Sequence, residues 1–535
     1  MSNSTDSSSL LPTPKTYQIV LGCISFFIIL PFVLLPMKRY PLGSTGAVLF
    51  GAFLMVITNV ISQSRVYQVI GDENNLKTIF LLWGMMIISS YFEREQLIDR
   101  LLDKLFPIGL SFHWWLIRLS CIDSILAALF TNDVACVILT PLILQKWSLQ
   151  NRNRKELNTL LLTIATQANI GSTLTIFGNP QMALMASKSS LFVDTHSRLE
   201  LKTCVEYLWL PTFVVWLLNI CFLLFHYHLS QCGQSKEISN EQIEEENSSE
   251  LSTIKQIEQP IISTLSIPRF TERFRLRQFG ENIVQSSFVV SQENPIMIDR
   301  SVSISSLPIQ DNSQDDDQDS FQASESKIFR LVLCILLLIV IGLLFASNDK
   351  VYFDIGLIPV GAAIILLVID TLINHQPPIF ILVRIDWNVL LLFFGLFVWL
   401  DGLNSTGIPH RLWIALNLDQ ATLLDMKSLM LFFMFTIIGS NVFSNVPLTL
   451  LILEQVPRTG DHLSLILYLA FLTTIAGNLT LFGSVANLIV AQKALSSDLK
   501  YRFTFWTYFK FGFVTTILFS FIGMFIIYGL ISVIH

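Results

Sequence analysis

Apolar residues in this chain come in blocks long enough to cross a bilayer. Before residue 229 they occupy Tyr17–Pro36, Leu42–Ile61, Leu76–Phe92, Phe112–Trp147, Leu157–Phe177 and Tyr207–His228. After residue 327 the series returns as Ile328–Ala346, Phe353–Leu372, Val389–Leu403, Leu424–Glu454, Leu463–Phe482 and Phe503–Ile534. A spanning helix needs roughly 20 such residues. The pattern therefore predicts an all-α polytopic membrane protein, with five ordinary spans and one overlong block in each half.

The fourth block is the overlong one in both halves. About 36 residues at 1.5 Å each make some 54 Å of helix, against a hydrocarbon core of about 30 Å. Small polar groups interrupt both blocks: Phe130-Thr131-Asn132-Asp133 in one, Gly439 through Pro447 in the other. Two short helices folded back at a polar tip account for the length and the interruption together, so each block is expected to be a re-entrant hairpin.

The fifth block is broken in both halves as well. Gly171-Ser172-Thr173-Leu174-Thr175-Ile176-Phe177-Gly178 parallels Gly477-Asn478-Leu479-Thr480-Leu481-Phe482-Gly483. An odd number of spans per half places the halves in opposite orientations. Inverted repeats with broken helices in corresponding positions are the pattern of secondary transporters. The expected domains are a polar tail (1–16), a first membrane repeat (17–228), a linker (229–327) and a second membrane repeat (328–535).

Charge sharpens this division. Of the 535 residues 52% are hydrophobic and 14% charged, and the net charge is −6; ordinary globular chains carry about 25% charged residues. The segment from Leu229 to Lys327 holds 17 Asp/Glu and 8 Lys/Arg, so it supplies all of the acidity, and the membrane body is slightly basic. That segment cannot bury enough apolar area to order itself and reads as a disordered linker. With the N-terminus outside, the short inner loops carry thirteen Lys/Arg, Arg94 and Arg384 among them. The outer loops carry ten, including Arg65, Lys188 and Arg458. The positive-inside rule then puts both termini on the non-cytoplasmic side and the linker in the cytoplasm. The seven scattered cysteines form no CxxC, and no cleavable leader pattern precedes the first block. Asp370, Asp401 and Glu454 fall near block ends and are expected at the interface, as are most of the ten Trp.

Candidate chemistry follows from the breaks. Backbone polar groups are not left unpaired in hydrocarbon, so broken helices are buried or line a polar cavity. The second arm of a hairpin presents free N–H groups suited to an anion, and the first arm ends in carbonyls suited to a cation. Thr131, Asn132, Ser444, Asn445, Asn179 and Asn478 are the candidate solute-binding residues. Gly171, Thr175, Gly178, Gly477, Thr480 and Gly483 are the candidate coupling-ion positions, joined by Asp133. A carboxylate deep in the bilayer costs on the order of 3 kcal/mol and marks a functional candidate. Asp133 has three roles open to it: ligating a cation, carrying a proton, or repelling multiply charged anions. The structural alternative for Asp133 is the N-cap of the second arm. Asn, Gly and Thr at such places also serve simply to hold helices together.

At these residues the chain resembles the ion transporter superfamily, and within it the citrate-transporter-like and arsenite-permease-like members, a group that includes plant silicon-efflux carriers. The matching stretches are Phe130-Thr131-Asn132-Asp133-Val134-Ala135, Asn169-Ile170-Gly171-Ser172, Gly178-Asn179-Pro180-Gln181, Ser444-Asn445-Val446-Pro447 and Gly483-Ser484-Val485-Ala486-Asn487. The resemblance implies a homodimeric elevator in which a moving domain carries both hairpins and both broken helices. In the sodium–dicarboxylate branch each tip reads Ser-Asn-Thr. Here the tips read Thr131-Asn132-Asp133 and Ser444-Asn445-Val446, which weakens the case for a sodium-coupled dicarboxylate.

The expectation is a secondary active transporter of a small anionic solute, an oxyanion or a carboxylate, working by alternating access and coupled to a proton or sodium. A cation antiporter of the same superfamily is the alternative. An intramembrane enzyme would need a nucleophile–base pair or two facing aspartates, and the sequence offers neither. Nothing in it calls for a cofactor, a resident metal or a nucleic acid.

Overall fold

The computed structural model describes residues 14–34, 43–94, 102–107, 109–149, 153–192, 198–229, 332–333, 335–342, 354–375, 377–418 and 425–534. Most of the expected polar tail and linker lie outside these residues. The described parts of both halves form one compact, helical unit, without a strand among the described residues.

In the first half the helices are α1 (Thr16–Leu34), α2 (Gly43–Ile57), α3 (Gln63–Ile70), α4 (Glu73–Arg94), α5 (Phe112–Leu129), α6 (Asn132–Ser148), α7 (Arg154–Gly171), α8 (Pro180–Ser189) and α9 (Leu201–Leu229). A helical stretch at 335–342 opens the second half. There follow α10 (Leu357–Asn374), α11 (Ile379–Arg384), α12 (Trp387–Ser405), α13 (Ile408–Ala415), α14 (Met426–Phe443), α15 (Asn445–Leu453), α16 (Leu463–Ala476), α17 (Val485–Ser496) and α18 (Phe505–Ile534). Seven of the described helices are long and apolar enough to cross a membrane, and three shorter apolar helices accompany them. Their number, length and composition are those of an integral, multi-pass membrane protein.

Both overlong blocks are pairs of helices packed on each other, α5 with α6 and α14 with α15. The first reverses at Phe130 and Thr131, where a break was expected. The second is helical through Phe443 and resumes at Asn445, so the expected interruption from Gly439 to Pro447 shrinks to Ser444. Gly439 does not break α14 because its role is contact: a Cβ there would stand 2.9 Å from Leu448 of the facing arm. The fifth blocks break as well. The chain leaves α7 at Gly171 through one turn at Ser172–Leu174 and resumes at Pro180, whose missing N–H costs nothing in a first helical turn.

Packing is shared between the halves. Helix α2 lies on α12 and α4 on α10; α6 lies on α17 and α15 on α8. Trp399 of α12 is fully buried and stacks on Phe26 of α1. Trp115, Trp147 and Trp413 are buried as well, while Trp114, Trp209, Trp387 and Trp506 are exposed.

Charged groups near block ends turn out to be paired. Asp370 is buried in the protein and accepts from Arg94 at 2.9 Å and from the Tyr91 hydroxyl at 3.3 Å. Arg65 donates to both oxygens of Asp401, at 2.7 and 3.0 Å, and this contact holds its guanidinium above its ordinary pKa. Lys188 meets Glu454 at 2.8 Å. The Arg65–Asp401 and Lys188–Glu454 pairs border a polar cavity of about 180 Å³ that Asp72 and Arg458 also line.

Candidate functional site

The two hairpin tips and the two helix breaks meet inside the unit, and amide side chains tie them together. Asn169, near the end of α7, is the hub. Its Oδ1 accepts from Asn132 Nδ2 at 2.8 Å and from the Ser484 hydroxyl at 3.0 Å. Its Nδ2 donates to Asn478 Oδ1 at 2.7 Å and to Asn487 Oδ1 at 3.0 Å. Asn478 Oδ1 accepts in addition from Tyr508 at 3.4 Å, and its Nδ2 donates to the Thr166 carbonyl at 3.2 Å. Asn487 Nδ2 donates to the carbonyls of Gly477 and Thr480, at 2.8 and 3.1 Å. A buried amide left unpaired is costly, whereas a network in which every member is satisfied fixes one geometry.

Several predicted binding residues are thus engaged with the protein. Asn179 donates from Nδ2 to Ser172 (3.0 Å) and Thr474 (3.3 Å), and its Oδ1 caps α8 through the Met182 N–H. Thr175 donates to the Ala128 carbonyl at 2.6 Å, while Thr480 donates to Asn441 Oδ1 at 3.1 Å. Both breaks close with the same turn, Gly178 N–H to Thr175 O and Gly483 N–H to Thr480 O. Gly171 ends α7 against Ser124 of α5, where a Cβ would come within 2.5 Å of backbone. Gly178 lies closer still to Ser172, and Gly477 faces Asn445 Nδ2.

The tips differ. In the first, every N–H of the opening turn of α6 is used. Asn132 N–H reaches the Gly178 carbonyl (2.8 Å) and Asp133 N–H reaches Asn132 Oδ1 (2.9 Å). Val134 N–H reaches Thr131 Oγ1 (3.1 Å), and Ala135 N–H reaches the Thr131 carbonyl (3.0 Å). The Asp133 carboxylate is half-buried at this tip and has no hydrogen bond or ion pair among the described residues.

The second tip is open. Ser444 has φ +73° and ψ 156° and does not cap α15 with its side chain. Pro447 has no N–H, and those of Asn445 and Val446 have no acceptor among the described residues. Asn445 Oδ1 accepts from the Ser440 hydroxyl, which leaves its Nδ2 towards Gly477. At the break, Ser484 precedes α17 without capping it, because its hydroxyl goes to Asn169. The two restarted helices of the first half are therefore capped by Thr131 and Asn179, and those of the second half carry no side-chain cap.

Sequence reasoning found the tips and breaks but not the hub. Asn169 and Asn487 stand in the stretches that carried the resemblance, so their amides were visible; what hid them was that no spacing along the chain says which amides meet. Asn441 stood within the interruption from Gly439 to Pro447 without being singled out, and Tyr508 gave no signal. Asp123, five residues after Arg118, is fully buried, with no hydrogen bond to either carboxylate oxygen, while Arg118 donates to the Leu105 carbonyl.

Comparison with known proteins gives the family of the chain. The profile of the citrate transporter family matches residues 32–460. The silicon efflux transporter LSI3 of Oryza sativa subsp. japonica is 26% identical over 95% of this chain and 97% of its own length. The putative transporter arsB of Dictyostelium discoideum is 27% identical over 94% of this chain and 91% of its own. The human P protein is 23% identical over 89% of this chain and 58% of its own length.

Proposed function

Since the chain belongs to the citrate transporter family, a family of membrane transporters, we propose that it is a secondary transporter of a small oxyanion or carboxylate, working by alternating access. The observation that carries this reading is the contrast between the two tips. The second half offers two uncapped helix N-termini, the arrangement that favours an anion. The first half has capped its own and placed a carboxylate there instead. The solute then sits against Ser444, Asn445 and the first turns of α15 and α17. Asp133 faces it from the other tip, held by the Thr131 and Asn132 bonds, and carries the coupling proton or sodium.

Two further features support the alternating-access reading. Exchange of the halves maps α2–α12 onto α10–α4 and α6–α17 onto α15–α8, as inverted repeats require. Helix α8 packs on α4, whereas α17 makes no comparable contact with α12; one end state of a moving body would look like this. Ends expected to share a membrane side also meet, Arg65 and Arg458 near Lys188 and Arg94 with Asp370. A homodimer belongs to the same proposal and rests on the resemblance alone.

The test is flux in proteoliposomes with silicate, arsenite, phosphate, sulfate and citrate, silicate first because of the rice relative's name. Asp133→Asn, normally inserted, should lose the pH or sodium dependence of wild-type flux. Unchanged dependence would remove Asp133 from the mechanism. The unpaired Asp133 carboxylate also fits a cation antiporter, and sodium or proton exchange without any anion flux would select that reading.

A further inference from the structure

The two halves handle the same place in the hairpin differently, and one residue makes the difference. Aligning Asn445 with Asn132 puts Asn441 opposite Ala128. In the first half the Thr175 hydroxyl donates to the Ala128 backbone carbonyl. In the second half the matching Thr480 hydroxyl donates to the Asn441 side chain instead. The Asn441 amide then reaches on with its Nδ2, which donates to the Ile437 carbonyl and to the Ala476 carbonyl, each at 3.1 Å.

Those two oxygens are the reason this matters. Ile437 lies in the last turns of α14, and Ala476 is the last residue of α16. Ala476 closes α16, at the negative end of that helix, where a positive charge is favoured; the Ile437 carbonyl faces the same amide from within α14, six residues before that helix ends. Asn441 therefore places an NH₂ group, with its two partly positive hydrogens, between the oxygens that would otherwise attract a cation. Gly483 seals the arrangement: a Cβ there would fall 2.9 Å from Asn441 Oδ1 and 2.8 Å from the Gly477 carbonyl. A hard cation of calcium's size binds oxygens at about 2.3–2.6 Å, and the amide nitrogen occupies the space between the two carbonyls.

We propose that the Asn441 amide is a built-in substitute for a coupling cation in the second half, so that this chain couples through the first half alone. Within the candidate coupling positions, Gly477, Thr480 and Gly483 then form the socket of an amide, and Asp133 with Gly171, Thr175 and Gly178 form the position that exchanges an ion. The inference rests on the transporter reading for its consequence, since only a transporter has a coupling stoichiometry, but its test measures binding and needs no flux.

The experiment follows the thermal unfolding midpoint of the purified full-length protein while sodium chloride replaces choline chloride at constant ionic strength. Asn441→Asp removes the two donors and leaves a carboxylate facing the two carbonyls. It should gain a saturable sodium stabilisation of about 3–5 °C, abolished by adding Thr480→Val. Should Asn441→Asp not purify, Asn441→Ala restores the residue found in the first half and should gain a smaller response with the same dependence on Thr480. Any sodium response of the wild-type protein should survive Thr480→Val. The proposal is overturned if the Asn441 variants respond to sodium as the wild type does, or if Thr480→Val removes a wild-type response. A protein that carried no solute would still give one of these results, so this inference and the transporter reading fail separately.

Discussion

Asn169 Nδ2 donates to Asn478 Oδ1 at 2.7 Å, and that bond ties the two broken helices to each other across 309 residues of sequence. It belongs to four side-chain bonds on one buried amide, and every partner of the Asn169 side chain comes from another part of the chain: the first tip, the second break, or the helix that follows it.

Asn169→Ala should therefore cost more than a typical buried hydrogen bond. It leaves Asn132 Nδ2, Asn487 Oδ1 and Ser484 without this partner, at roughly 1–3 kcal/mol for a buried group left unpaired. Asn169→Asp keeps the acceptor for Asn132 and Ser484 but turns a carboxylate oxygen towards the oxygens of Asn478 and Asn487, so it should be at least as damaging. Both variants are expected to lower the unfolding midpoint in detergent, and an unchanged midpoint would show the network to be dispensable.

Two glycines of the breaks should behave differently. A Cβ on Gly178 would lie 2.1 Å from the Ser172 carbonyl and 2.8 Å from two other backbone atoms, which cannot move without opening the break. A Cβ on Gly477 would meet Asn445 Nδ2 at 3.0 Å, the end of a side chain that can give way. Gly178→Ala should reduce the yield of folded protein. Gly477→Ala should insert normally and instead weaken apparent solute affinity, by displacing Asn445. Size-exclusion profiles and concentration-dependent flux would separate the two effects.

Ser444 and Thr131 occupy matching positions but should respond oppositely to glycine. Ser444 holds φ +73° with ψ 156°, a region essentially reserved for glycine and costing a side chain on the order of 1–3 kcal/mol. Thr131 is extended, at φ −164°, and caps Val134. Ser444→Gly is expected to raise the unfolding midpoint and Thr131→Gly to lower it. The same sign for both would mean that the positive φ at Ser444 stores no strain. Strain at one tip and none at the other also suits a second tip that rearranges when solute arrives.

Much of this architecture was legible because membrane proteins constrain it so tightly. The hairpins were readable from length against bilayer thickness, and the breaks from small and polar residues recurring in the same ordinal places. Asp133 stood out because a carboxylate is expensive there, and it has no hydrogen-bond or ion-pair partner among the described residues. The extent of the second hairpin's interruption was misjudged: Gly439 was counted in it and is a packing contact, a distinction that depends on Leu448 of the other arm. Asp370 ends an apolar block, and the sequence did not show its partners: Arg94 and Tyr91, which hold it in the protein interior, lie far away in sequence.

The sequence by itself determined the class of protein, the two halves, the hairpins and breaks, and the residue types gathered there, because each follows from local composition and from the cost of unpaired backbone in hydrocarbon. Only the tertiary structure decided which of those residues are spent and which remain free. Asn132, Asn169, Asn179, Asn478 and Asn487 are alike as amides, and so are Asn441 and Asn445. Whether each holds the protein together or faces a solute depends on donors and acceptors that other helices bring within about 3 Å, a distance range in which hydrogen bonds form and about which linear spacing says nothing.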